Sequence, residues 1–162
     1  MDLVGPSQTE SMGSKKYLLV LVDDFSRFTW VNFLRHKYDT FSSFKGLCNR
    51  ILTEKQSSNF CIVRLRTDHG TMFKNASFAN YCDEHGITHE FSAPITPQQN
   101  DVVERKNRIL LDMGRVLLHS TGLTPNFWAE AISTTCYTTN RVFLRPGTDK
   151  THMNCGKVRN PR

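Results

Sequence analysis

The chain has 162 residues and 38% apolar content, enough for one domain with a buried core and too much for a disordered chain. Lys and Arg number 21 against 15 Asp and Glu, and the resulting +6 formal charge with a pI near 9.2 suits a polyanionic partner, nucleic acid foremost, with a membrane surface or an acidic protein left open. The odd cysteine count (Cys48, Cys61, Cys82, Cys136 and Cys155) without a Cys-x-x-Cys pair excludes a disulfide-stapled scaffold, and no apolar run reaches the roughly 20 residues of a membrane helix, so a soluble intracellular chain with no membrane partner is expected.

Residues 5 to 16 are polar and turn-like. Tyr17 to Val22 is an apolar, β-branched run that predicts a buried strand. Asp23 to Arg27 reads as a capped turn and Phe28 to Leu34 as a second strand, making 17 to 34 a hairpin. Phe41, Phe44, Leu47, Cys48, Ile51 and Leu52 recur at helical spacing and predict a helix over 38 to 55. Phe60 to Arg66 reads as a strand with Cys61, Val63 and Leu65 alternating, and Asp68-His69-Gly70 follows its carboxyl end. A helix over 75 to 84 turns Phe78, Tyr81 and Cys82 inward and stops at Gly86. Ile87 to Ser92 predicts a strand, and Pro94 to Asn100 a loop. Residues 102 to 119 form the clearest helix, and Thr124-Pro125 supplies an N-cap and first-turn proline for another over 125 to 140. An irregular tail is expected over 148 to 162, leaving 1 to 147 as the domain. Strands first, then strands and helices in alternation, predict an α/β domain with a mixed sheet flanked by helices.

Three carboxylates fall where such a fold presents chemistry. Asp2 opens the chain, Asp68 follows a strand, and Glu104 lies in the first turn of the 102 to 119 helix. Carboxylates gathered from distant positions would hold a hard cation such as magnesium, and two such ions about 4 Å apart would clamp the attacking and leaving oxygens of a phosphodiester displacement. Without metal they repel one another, so the site is expected to be incomplete. At about 100° per residue, Glu104, Arg108 and Arg115 share one helix face, with Ile109, Leu110, Met113, Val116 and Leu117 opposite. That places a carboxylate between guanidinium groups suited to phosphate. The blander reading is a solvated face with a Glu104–Arg108 pair. Cys82, His85 and His89 have zinc-like spacing but read as structural, as do most of Phe25, Phe28, Trp30 and Phe33.

Several segments together carry a resemblance. Asp2-Leu3-Val4-Gly5-Pro6, the hairpin from Tyr17 to Trp30, Leu65-Arg66-Thr67-Asp68-His69-Gly70, the run from Pro94 through Glu104 to Arg108, and Phe127-Trp128-Ala129-Glu130-Ala131 resemble, in order, the motifs of a copia-type retrotransposon integrase catalytic core. The 35 residues between Asp68 and Glu104 match that family's acid spacing. The resemblance implies a ribonuclease-H-like fold and metal-dependent 3′-end processing and strand transfer of element DNA. It implies Asp2, Asp68 and Glu104 as catalytic metal ligands for two Mg²⁺ or Mn²⁺ ions. Arg105, Lys106, Arg108 and Arg115 become expected DNA contacts, with Asn100 and Gln99 in the active-site loop. The expected partners are element ends and target DNA, in a homo-oligomer, with the nucleus as the place of action.

The match has departures. His69 stands where the family usually has Asn, and Asp101 where it has Gly. Only Met1 precedes Asp2, so the strand that holds the first aspartate is expected to be truncated, with little pairing to fix Asp2. Weak activity of the isolated chain is therefore expected, and the alternative is a catalytically dead nucleic-acid-binding remnant.

Overall fold

The computed structural model describes residues 1–54, 61–92 and 101–157. Strands β1 (Asp2–Val4), β2 (Tyr17–Val22) and β3 (Thr29–Leu34) form an antiparallel sheet in the order β1-β2-β3. Tyr17 pairs with Leu34 and Val22 with Thr29, so the hairpin forms as expected. Asp23 caps its turn, accepting from the Ser26 amide at 3.0 Å and the Ser26 hydroxyl at 2.6 Å. Strands β4 (Arg64–Thr67) and β5 (Thr88–Phe91) pair in parallel. The Met1 ammonium donates to the Arg66 carbonyl at 2.7 Å and brings β1 beside β4.

Each face of this sheet carries its own helices. Leu19 and Leu21 point with Leu3 and Leu65 into a core that holds Phe44, Cys48, Phe78, Tyr81 and Cys82. These come from α1 (Thr40–Glu54) and α2 (Ala76–Glu84). Leu18, Val20 and Val22 point with Val4 to the other face and meet Val103, Leu110, Ile132 and Cys136. Those belong to α3 (Asp101–Thr121) and α4 (Trp128–Val142). A strand covered on both faces must be apolar at every position, which explains the unbroken run from Tyr17 to Val22. Asn75 caps α2 by accepting from the Phe78 amide at 3.1 Å.

Several expectations are corrected. Cys61 to Val63 lie outside any strand, and β4 begins at Arg64. Residue 60, the loop 94 to 100 with Gln99 and Asn100, and residues 158 to 162 lie outside the described residues. Thr124 does not cap α4: Pro125–Phe127 forms a 3-10 turn, and α4 starts at Trp128. The tail is not irregular throughout, because Leu144 bridges Thr151 and a short helix α5 (His152–Lys157) follows. His152 and Cys155 in it are buried.

The core face of α3 is also rotated from the expected one. Val103, Lys106, Asn107, Leu110 and Gly114 are buried, while Val116 is 66% exposed. Gly114 sets this rotation: a Cβ there would lie 3.1 Å from Ile132 Cγ1, so the glycine lets α4 approach closely. Lys106 is 6% exposed and does not present its amino group to solvent, contrary to its expected role at DNA. Its Nζ lies 3.4 Å from His152 Nδ1 and 5.9 Å from the Phe143 ring centre. Desolvation lowers the Lys106 pKa, and burial with the neighbouring Lys106 charge lowers that of His152 to about 4.

Candidate active site

The alternation of β1 decides where Asp2 points. Leu3 joins the α1–α2 core and Val4 the α3–α4 core, so Asp2 shares the α3 face with Val4. In β4, Leu65 faces α1 and α2, which turns Arg66 and, just beyond the strand, Asp68 toward the Asp2 side. The two carboxylates are close enough for the Asp68 charge to act on Asp2. The Asp2 carboxyl is pushed up, first by burial and further by Asp68, against the lowering effect of the Leu3 amide and of Asn107. The Met1 ammonium beside them is lowered to about 6 by burial, with both aspartates opposing that shift.

Asp2 is held more firmly than its short strand predicts. All three β1 residues pair with β2, Asp2 opposite Val20. The Asp2 Oδ1 accepts from the Leu3 amide at 2.8 Å, and its Oδ2 from Asn107 Nδ2 at 2.5 Å. Asn107 is the functional residue that sequence reasoning missed. Its signal was a polar side chain on the buried stripe of Val103, Leu110 and Gly114, one turn after Glu104. Because an ionised carboxylate only accepts, the amide nitrogen faces Asp2 and Oδ1 points elsewhere. That oxygen is buried with no hydrogen-bond partner.

Asp68 Oδ1 accepts from the Gly70 amide at 3.0 Å. A Cβ on Gly70 would sit 2.9 Å from that oxygen, so the glycine permits the turn to close on the carboxylate. Glu104 is exposed in the first turn of α3 and makes no ion pair with Arg108. Arg105 pairs instead with Asp101, and Arg115 with Asp112 at 2.7 Å, both on the exposed side. Arg108 is exposed as well. The His69 ring lies tilted against that of Phe91, with 5.5 Å between ring centres. Cys82 is core, His89 bonds Thr67 Oγ1 at 3.0 Å, and the zinc-like spacing forms no metal group among the described residues.

Asp2 and Asp68 are thus brought together, while Glu104 stays apart. Among the described residues no three acidic, His or Cys side chains are grouped closely enough to hold a metal ion. The donor chemistry nevertheless fits magnesium or manganese. It offers only hard oxygen atoms, no ion pair among the described residues neutralises Asp2, Asp68 or Glu104, and a buried amide oxygen is unpartnered beside them.

Antiparallel β1-β2-β3 beside parallel β4-β5, flanked by helices, is a fold that solved structures share. The magnesium complex of the HTLV-2 integrase catalytic core domain, in its trimeric form, aligns over 96% of this chain and 95% of its own, with TM-score 0.66 and 22% identity. A simian T-cell lymphotropic virus intasome in complex with PP2A regulatory subunit B56 gamma aligns over 99% of this chain and 55% of its own, with TM-score 0.71 and 21% identity. The fold is therefore ribonuclease-H-like.

The integrase core domain model matches residues 1–97, and this chain belongs to that family. Its relatives include the retrovirus-related Pol polyprotein of tobacco transposon TNT 1-94, 40% identical over 86% of this chain. The Pol polyproteins of Arabidopsis transposons RE2 and RE1 are 35% and 33% identical over 82% and 78% of it. The chain spans 10%, 9% and 8% of the length of these three relatives.

Proposed function

We propose that this chain is the catalytic segment for DNA integration by a retrotransposon polyprotein, performing 3′-end processing and strand transfer of element DNA. The observation that carries the reading is the pair of partly buried carboxylates, Asp2 and Asp68, close enough for one to act on the other, with Asn107 bonded to the first of them. Asp2, Asp68 and Glu104 would hold Mg²⁺ or Mn²⁺. When bound, these ions supply the positive charge that stabilises the attacking and leaving oxygens of a phosphodiester displacement.

The chain's own residues do the rest. Asn107 fixes the Asp2 carboxylate, and the Gly70 turn fixes that of Asp68. Arg105, Arg108 and Arg115 lie on the exposed side of α3, where phosphate contacts would fix register without reading sequence. Lys106, buried against Phe143, is left out of that set. The partners are element ends and target DNA, and the site of action is the nucleus. A homo-oligomer accords with the dimeric and trimeric forms in which the HTLV-2 core domain was solved. No helix among the described residues is long and apolar enough to cross a membrane.

The test is strand transfer of a labelled element-end duplex with Mg²⁺ or Mn²⁺. The chain should yield joined product, and Glu104→Gln and Asp68→Asn should abolish it while still binding DNA. Binding without transfer by the unsubstituted chain would leave it a nucleic-acid-binding remnant.

A further inference from the structure

On the α3 side of the sheet, the helices cover only part of the surface. α3 packs on β1 and β2, and α4 on β3. The neighbouring strands β4 and β5 carry a different kind of surface there. Leu65 and Thr67 turn to the α1–α2 side, which sends Arg64 and Arg66 to the α3 side. The parallel register sets Arg64 beside Thr88 and Arg66 beside Glu90. The floor is therefore polar and open, with the Arg64 side chain 61% exposed, Arg66 37% and Glu90 34%.

Its charges are unbalanced. Arg64 Nε lies 3.2 Å from Glu90 Oε1 and Arg66 NH2 3.4 Å from Glu90 Oε2, so one carboxylate is shared by two guanidinium groups. Among Arg64, Arg66 and Glu90 one positive charge is left over, on side chains whose forked donors match phosphate oxygens. The same strand runs from Arg64 through Arg66 directly into Asp68.

We propose that the open β4–β5 face is a DNA-strand track, with Arg64 and Arg66 binding successive backbone phosphates and leading the strand to Asp68. Glu90 is its internal competitor: it holds both guanidinium groups in place and yields them when phosphate arrives. A backbone phosphodiester carries one negative charge on two non-bridging oxygens, as a carboxylate does, so two successive phosphates offer each guanidinium an acceptor of its own where Glu90 is shared between both. This inference rests on the integration reading, since it supplies that reaction's substrate with a path on the sheet in addition to the arginines of α3.

The competitor gives the proposal a signature that a structural salt bridge lacks. DNA affinity of the full chain is measured by fluorescence anisotropy with a labelled duplex across a salt series, and melting curves confirm that each variant folds. Arg64→Ala and Arg66→Ala should each lower the magnitude of the log K against log salt slope by about 0.9, which is about fivefold to tenfold in affinity near 0.1 M salt. Arg66→Lys should keep the slope. Glu90→Gln should move the other way, raising affinity several-fold. Unchanged slopes in both alanine variants, or weaker binding by Glu90→Gln, would overturn the track. If those slopes stay fixed while Arg108→Ala lowers its own, only the track fails. If the unsubstituted chain shows no salt-dependent DNA binding, the integration reading fails with it.

Discussion

Replacing Asn107 by Ala removes the amide that donates to Asp2 at 2.5 Å. A hydrogen bond to a charged group contributes about 1.5–3 kcal/mol, and one between neutral groups about 0.5–1.5 kcal/mol. The single variant is a poor measure of this bond, because Asn107 also carries a buried unpartnered oxygen whose removal offsets part of the loss. A double-mutant cycle with Asp2→Asn cancels that contribution, since the oxygen disappears in both arms. The coupling should be about 1 kcal/mol or more, read as a difference of about 2–4 °C in the Tm cost of Asn107→Ala between the two backgrounds. In the Asp2 background, loss of this support should also raise the Mg²⁺ concentration for half-maximal thermal stabilisation by about 10–100-fold. Additivity within about 0.3–0.5 kcal/mol, with an unchanged Mg²⁺ midpoint, would refute the argument that Asn107 positions Asp2.

Other perturbations address the rest of the structure. The Asp2 carboxyl has a raised folded-state pKa, so its stabilising contribution is present below about pH 3.8 and lost as pH rises through that folded value. Asp2→Asn should therefore raise Tm at pH 7 in chelator while abolishing stabilisation by Mg²⁺, and a lowered Tm would count against this. His152 is depressed to about 4 in the fold, so it contributes stability that is full above its ordinary value of 6.5 and lost as pH falls toward 4. His152→Leu should remove a slope of up to about 1.4 kcal/mol per pH unit from urea-melt stability in that window. Gly114→Leu should cost about 1–3 kcal/mol by forcing α3 off Ile132. Gly46→Ala, with open space around its Cβ, should instead gain about 0.5–1 kcal/mol, and thermal melts would separate the two. Arg108→Ala should lower the salt slope of DNA binding by about 0.9, whereas Lys106→Met should leave it unchanged. Equal effects of the two would contradict the burial of Lys106.

The local pattern made much of the fold legible. The run from Tyr17 to Val22, the spacing of Phe44, Leu47, Cys48 and Ile51, and the stop at Gly86 mark β2, α1 and the end of α2, because an apolar run, a helical period and a terminating glycine are properties of neighbouring residues. The ordered acidic motifs and the interval from Asp68 to Glu104 likewise identified the family without any tertiary information.

What pattern alone misjudged depends on partners distant in the chain. The apolar count on α3 favoured Ile109, Leu110, Met113, Val116 and Leu117 as the core face; Leu110 is buried, yet the close approach of α4 at Gly114 and the bond from Asn107 to Asp2 turned Val103, Lys106 and Asn107 inward and Val116 out. That rotation buried Lys106, whose cost of desolvation is eased by Phe143 and by His152 in a helix read as irregular tail. The sequence by itself determined most of the elements from β2 to α4, the family and the acidic residue types. Only the tertiary structure decided which polar side chains face the carboxylates, which arginines stay open to a polyanion, and that Asp2 is anchored across 105 positions by Asn107. Such pairings are settled by helix rotation and sheet register, which no local window of sequence contains.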